Sequence, residues 1–206
     1  MPNALTPDVL LWAYRHGLFP MADPDAADEL FWLAPDPRGV LPLDRFHTPH
    51  NLRRLVRRRP FTVRTDTAFE RVVRACAAPA PGRESTWISG EVAAAYTELH
   101  RLGFAHTVEC WREGELVGGL YGVAIGGAFF GESMFHRVRD ASKVALVHLV
   151  RRLRRGGYVL LDVQFVTPHL ARFGAEAIPR AAYERRLADA LAIRARWDAA
   201  VDAEAS

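Results

Sequence analysis

Three polar side chains interrupt apolar runs late in the chain, and their types and spacing are the first sign of chemistry. Gly127 to Phe135 reads Gly-Ala-Phe-Phe-Gly-Glu-Ser-Met-Phe, a strand in which Glu132 stands among large apolar groups. A second apolar run, Tyr158 to Phe165, carries Asp162 and Gln164 two positions apart. Side chains alternate along a strand, so this pair is expected on one face. A carboxylate in such surroundings is costly unless it is paired or used. Used, the set suits positioning. A glutamine cannot usefully take a proton, but its carbonyl oxygen accepts a hydrogen bond, and a neighbouring carboxylate can polarise and fix its amide. Unused, Asp162 and Gln164 would satisfy backbone groups at a strand end, and Glu132 would be neutralised by an arginine of the core.

The elements that must hold these residues are marked by caps, glycines and periodicity. Thr6-Pro7 opens a helix that Gly17 stops. Prolines at 20, 24, 35, 37 and 42 make Phe19 to Leu43 an irregular segment without long helices or central strands. A helix over Arg45 to Arg59 and a short strand over Phe61 to Arg64 follow, with a domain boundary near Pro60. The chain thus divides into a small N-terminal domain, 1–60, and a larger one, 61–206. In the larger part a helix over Thr67 to Ala77 and a proline-rich loop over Ala78 to Arg83 precede a helix that Ser89 caps and Gly103 ends. His106 to Trp111, Leu116 to Ala124 and the Glu132 strand form an antiparallel meander. Ala141 to Arg155 is an amphipathic helix closed by Gly156-Gly157, then come the Asp162 strand, a short helix from Thr167-Pro168, and a last helix from Pro179. The class is α/β (α+β), and the order of elements resembles the N-acetyltransferase (GNAT-like) fold.

With 206 residues, half of them hydrophobic and a quarter charged, the chain is composed like a soluble globular protein. No stretch approaches the roughly 20 apolar residues that span a bilayer, and Met1 to Leu11 lacks the basic and apolar regions of a signal peptide. A cytoplasmic protein that does not engage a membrane is expected. Cys76 and Cys110 show no metal or redox spacing and are expected to be reduced and structural. The eight histidines form no ligand cluster, so no metal is expected. The net charge of +3 is carried by arginine, since Lys143 is the sole lysine among 27 basic residues. Two runs, Arg53, Arg54, Arg57, Arg58, Arg59 and Arg151, Arg152, Arg154, Arg155, either hold a phosphate backbone or are solvated helix faces.

Several short patterns, taken in order and spacing, resemble the leucyl/phenylalanyl-tRNA–protein transferase family over nearly the whole chain. They include Tyr14-Arg15-His16-Gly17-Leu18-Phe19-Pro20, Trp32, Pro35-Asp36-Pro37-Arg38, Thr86-Trp87-Ile88, Tyr96 and Glu109. Gly131-Glu132-Ser133-Met134-Phe135, Ala141-Ser142-Lys143, Asp162, Gln164 and Phe173-Gly174-Ala175 continue the match. One departure is Leu33, where many relatives carry a second aromatic directly after the Trp32 position. The resemblance implies transfer of leucine or phenylalanine from aminoacyl-tRNA to proteins with N-terminal arginine or lysine, which marks them for degradation. By the same resemblance Asp162, Gln164 and Glu132 are the catalytic set, and Leu120, Phe129, Leu146 and Leu149 hold the transferred side chain. Trp87 matches an aromatic near the terminal adenosine, and Trp32 could stack there too.

Such a reaction needs no cofactor, because an aminoacyl ester is already activated. The α-amino nucleophile, with a pKa of roughly 7.7–8.0, is partly neutral near pH 7. Glu132 would then face either the amino group of the bound leucine or phenylalanine, or the side chain of the acceptor arginine. Two rival readings compete. A coenzyme A-dependent acetyltransferase would need a glycine-containing phosphate loop after the meander, and Phe135 to Asp140 has no glycine. A non-catalytic RNA-binding module suits the arginine runs but leaves Glu132, Asp162 and Gln164 without a task.

Overall fold

The computed structural model describes residues 5–22, 30–79 and 86–198; Pro24 and residues 80–83 of the expected loop lie outside them. Thr6 accepts a hydrogen bond from the Val9 amide at 3.3 Å and Pro7 occupies the first turn, so α1 spans Pro7–Arg15 as its cap signals require. After it β1 (Phe19–Ala22) and β2 (Leu30–Leu33) pair antiparallel in a two-stranded sheet of their own. Next come β3 (Arg38–Val40), α2 (His50–Arg57), β4 (Thr62–Thr65) and α3 (Phe69–Ala77). The helix expected from Arg45 starts only at His50, because Pro49 and the residue before it are held out of helical geometry. Ser89 accepts from the Val92 amide at 3.2 Å and starts α4 (Gly90–Arg101).

The expected meander follows as β5 (Ala105–Arg112), β6 (Glu115–Ile125) and β7 (Ala128–His136), each antiparallel to the next. Then α5 (Ala141–Arg155) crosses over to β8 (Leu160–Gln164), which lies parallel to β7. The chain closes with α6 (Pro168–Ala171), β9 (Glu176–Ile178) and α7 (Arg180–Leu191). The main sheet is mixed and seven-stranded, in the order β4-β5-β6-β7-β8-β3-β9.

The position of β3 corrects one expectation. The prolines argue against central strands before Leu43, yet β3 is interior, antiparallel to β8 on one side and β9 on the other. Its three residues carry no proline; Pro37 and Pro42 flank it without interrupting the ladder. A strand from before the expected boundary at Pro60 thus lies inside the sheet, whose edge strand β4 begins just after that proline. Gly39 is required there, since a Cβ would meet the Phe165 backbone at 2.7 Å.

Each face of the sheet covers one apolar cluster. One gathers Leu10, Tyr14, Val72, Tyr96, Leu99, Phe130 and Tyr183, from α1, α3, α4 and α7. The other gathers Leu52, Val56, Leu146 and Leu149 of α2 and α5 against Leu120, Phe129 and Leu161 of the strands, with Phe173 after α6. Both cysteines are buried and neither is in a disulfide. No helix among the described residues is long and apolar enough to cross a membrane.

Candidate active site

The ladder between β7 and β8 runs only from Ala128↔Leu160 to Phe130↔Asp162. Past that point a cavity of about 320 Å³ is lined by Gly131 to Met134 of β7, by Val163 and Gln164 of β8 and by Phe165 just after it. It thus sits where two parallel strands part, with access to side chains from both faces of the sheet.

Both strands carry a bulge at this place. On β7, Gly131 pairs with Gly122 and Ser133 with Tyr121, so Glu132 is the extra residue. On β8, Asp162 pairs with Val40 and Gln164 with Gly39, so Val163 is extra. Bulges break the two-residue period and re-aim side chains. Gln164 also has φ +57, outside strand geometry and rare for a residue with a Cβ. Alternation alone therefore does not set the aim of Gln164.

Asp162 supplies the turn. Its Oδ1 accepts from the Gln164 backbone N at 2.9 Å, so the carboxylate holds the main chain of Gln164 and not, as the sequence suggested, its side-chain amide. Its other contacts are to Arg38, through Nε to Oδ1 at 3.0 Å and Nη2 to Oδ2 at 2.7 Å, and to the Tyr183 hydroxyl at 2.6 Å. Both members of the ion pair are buried, Arg38 1% and Asp162 0% exposed. Arg38 further donates to the Gly17 carbonyl at 2.8 Å and lies over the rings of Phe19 and Tyr183. With its oxygens committed to these donors, Asp162 anchors the turn at Gln164.

Glu132 is received by phenols instead of an arginine. The Tyr14 hydroxyl donates to Oε1 at 2.6 Å and the Tyr96 hydroxyl to Oε2 at 3.0 Å, and the two hydroxyls also touch each other. Burial pushes the Glu132 carboxyl up to about 7, against the two phenol bonds, which favour its ionised form. It can therefore change charge near neutrality and present a carboxylate to a cation. Burial beside Glu132 drives the hydroxyls of Tyr14, Tyr96 and Tyr121 well above the usual phenol range, so all three stay protonated.

Leu120, Leu146 and Leu149 line the cavity together with Met134 and Leu161, which makes one wall apolar. Phe129 does not line it; the ring is buried and stacks at 5.5 Å on Trp197. Trp87 is half-buried and lines the cavity. Trp32 sits on β2 opposite Pro20, which itself lines the cavity, so this tryptophan stands one strand behind the wall. Leu33 pairs with Phe19, another wall residue. Among the described residues no three His, Cys, Asp or Glu side chains gather to hold a metal ion.

Sequence reasoning left Arg38, Tyr183 and His169 without roles. Arg38 and Tyr14 lay in the quoted motifs, but their partners are 124 and 118 residues away, beyond any local pattern. Tyr183 gave no signal, since a tyrosine on an amphipathic helix reads as core. The two arginine runs also separate. Arg53, Arg54, Arg57, Arg58 and Arg59 are exposed on and after α2. On α5, Arg152 donates to the Trp197 carbonyl and Arg154 to the Leu43 carbonyl, so that run is partly turned inward.

Comparison with known proteins gives the family. Residues 3–36 match the leucyl/phenylalanyl-tRNA protein transferase N-terminal domain, and residues 40–188 match the leucyl/phenylalanyl-tRNA protein transferase family. The two matches meet at β3. A leucyl/phenylalanyl-tRNA–protein transferase of Salinibacter ruber is 58% identical over 206 residues, covering 100% of this chain and 89% of that protein. The enzyme of the same name from Paramagnetospirillum magneticum is 58% identical over 94% of this chain and 93% of its own length. That of Phenylobacterium zucineum is 61% identical over 89% and 83%. With both regions matched and the relatives covered almost end to end, this chain is an aminoacyltransferase that belongs to the leucyl/phenylalanyl-tRNA–protein transferase family.

Proposed function

We propose that the protein transfers leucine or phenylalanine, and methionine weakly, from charged tRNA to the N-terminal arginine or lysine of acceptor proteins. Products of that reaction are marked for degradation, and the work is cytoplasmic. The observation that carries this reading is the meeting of an apolar wall with Glu132 and Gln164 at the point where β7 and β8 part. That opening between parallel strands also supports the likeness to N-acetyltransferase domains.

The transferred side chain packs against Leu120, Leu146 and Leu149, with Phe129 supporting the wall from behind, while Trp87 takes the terminal adenosine and Trp32 braces the strand beside it. The Gln164 carbonyl accepts from the attacking α-amine and aims its lone pair at the ester carbon. A C–N bond forms and the ester C–O bond breaks; the amine loses a proton and the ribose oxygen leaves as a hydroxyl. No nucleotide or metal enters, because the ester supplies the driving force. Ionised Glu132 holds the positive charge of a substrate, an amino group or the acceptor's arginine. The exposed arginines of α2 suit the phosphate backbone better than the partly committed run on α5.

Transfer of radiolabelled leucine from charged tRNA to a model protein with N-terminal arginine, beside the same protein with N-terminal alanine, tests the reading. Label on the arginine protein alone is expected, with methionine transferred less well. One missing or altered methylene is worth about 1–3 kcal/mol in an apolar pocket. No transfer to either protein would end the proposal.

A pH profile tests Glu132. Its carboxyl titrates near 7, so the carboxylate is absent well below that pH and fully formed above it. In wild type kcat/KM should rise through about pH 7 on top of the rise from the acceptor amine. In Glu132→Gln the lower limb should vanish while the amine limb remains. An unchanged profile in the variant would remove Glu132 from the role.

A further inference from the structure

Among the described residues three buried side-chain polar atoms have no hydrogen-bond partner: Tyr121 Oη, Gln164 Nε2 and His169 Nε2. All three residues line the same cavity. Buried polar groups are nearly always paired, and one left unpaired is costly. Their coincidence in one cavity points to a ligand that supplies the missing partners. Gln164 belongs to the aiming role above. Tyr121 is wedged edge-on between Phe69 and Tyr96, at 6.0 and 5.5 Å, within the group of phenols around Glu132.

His169 has different surroundings. It is the second residue of α6, five positions beyond Gln164, with its ring edge-on to Phe173 at 5.3 Å. Burial, then the positive charges of Lys143, Arg172 and His136, hold its imidazole below the usual range, so it is neutral at neutral pH. A neutral imidazole has one N–H and one lone pair. It is therefore a hydrogen-bonding group for an oxygen, with Arg172 and Lys143 near it, the lysine itself paired with Asp140, while Glu132 stands elsewhere in the cavity lining.

Resting on the aminoacyl-transfer reading, we infer that His169 is a substrate-holding residue at the nucleotide end of the cavity, its Nε2 bonded to an oxygen of the terminal nucleotide of aminoacyl-tRNA, a ribose hydroxyl or a phosphate. The polarity of the cavity then orients both substrates. The nucleotide's oxygens lie toward His169, Lys143 and Arg172, and the cationic group toward Glu132. His169 fixes the ester from its leaving side while Gln164 fixes the direction of attack.

The test uses the full chain and three leucyl donors: charged tRNA, the 3′-leucyl ester of adenosine, which lacks phosphate, and the same ester of 2′-deoxyadenosine. In each case kcat/KM is read for transfer to a peptide with N-terminal arginine. His169→Phe, which keeps a ring against Phe173, should lose about tenfold on charged tRNA, and His169→Gln should recover most of that loss. A loss that persists on leucyl-adenosine but disappears on the deoxy ester places the contact at the ribose hydroxyl. A loss that disappears already on leucyl-adenosine places it at a phosphate. Either result supports the inference. Wild-type rates for His169→Phe on every donor, an equal loss on all three, or a glutamine variant as poor as the phenylalanine one would overturn it. Absence of transfer by the wild type itself would instead overturn the aminoacyl-transfer reading, and this inference with it.

Discussion

Arg38→Met is expected to lower the free energy of unfolding by about 3–5 kcal/mol, the range seen when one member of a buried ion pair is removed. Arg38 and Asp162 are 1% and 0% exposed, so the remaining carboxylate could not recover its lost partner from solvent. The same change frees the Gly17 carbonyl at the end of α1 and removes the cation lying over Phe19 and Tyr183. Denaturant unfolding measures the loss. Transfer should collapse even under conditions where the variant is still folded, because the anchor of the Gln164 turn is unseated. Tyr183→Phe is the milder companion. It deletes a single donor to Asp162 and should cost about 1 kcal/mol. If the two variants proved equally stable, the ion pair would not be the keystone that its burial implies.

The second large effect is at Gln164. Replacing it with alanine should lower kcat about 10²-fold, the scale of a misplaced reacting group, with little change in KM for either substrate. Gln164→Glu separates aiming from proton removal. A base would be strengthened by the added carboxylate. Aiming would be spoiled, because a third carboxylate beside Asp162 and Glu132 finds Arg38 already committed to Asp162, so the variant should be as slow as the alanine one. Steady-state kinetics on charged tRNA decides between them. A faster glutamate variant would show that the residue does take the proton.

Much of the fold could be read ahead of the structure because its signals are local. Thr6-Pro7 and Ser89 cap helices through bonds three residues long, and the meander announces itself by period and turns. The strands β3 and β9 could not be read this way. Each has three residues, too few to show alternation, and β3 is hemmed by prolines that argue against a strand. The chemistry divides along the same line. Glu132, Asp162 and Gln164 stood out because polar groups in apolar strands are anomalies. Arg38, Tyr14 and Tyr96 did not, since a buried arginine or phenol is explained only by a partner far along the chain. The aim of Gln164 was hidden for another reason: it depends on a bulge whose partner strand, β3, had not been foreseen.

That small strand also governs timing. As the polypeptide leaves the ribosome, Arg38–Val40 emerges early but has nowhere to pair until Leu160–Gln164 and Glu176–Ile178 have followed it. Contacts of such sequence separation form late. The early segment must wait for nearly the entire chain, and the turn that aims Gln164 closes only after it docks. A nascent chain that has made only its meander carries Leu120 of the apolar wall, but not yet Leu146 and Leu149 of α5 or the turn at Gln164. On the proposed mechanism, the apolar wall and the turn at Gln164 are therefore assembled at different stages of folding.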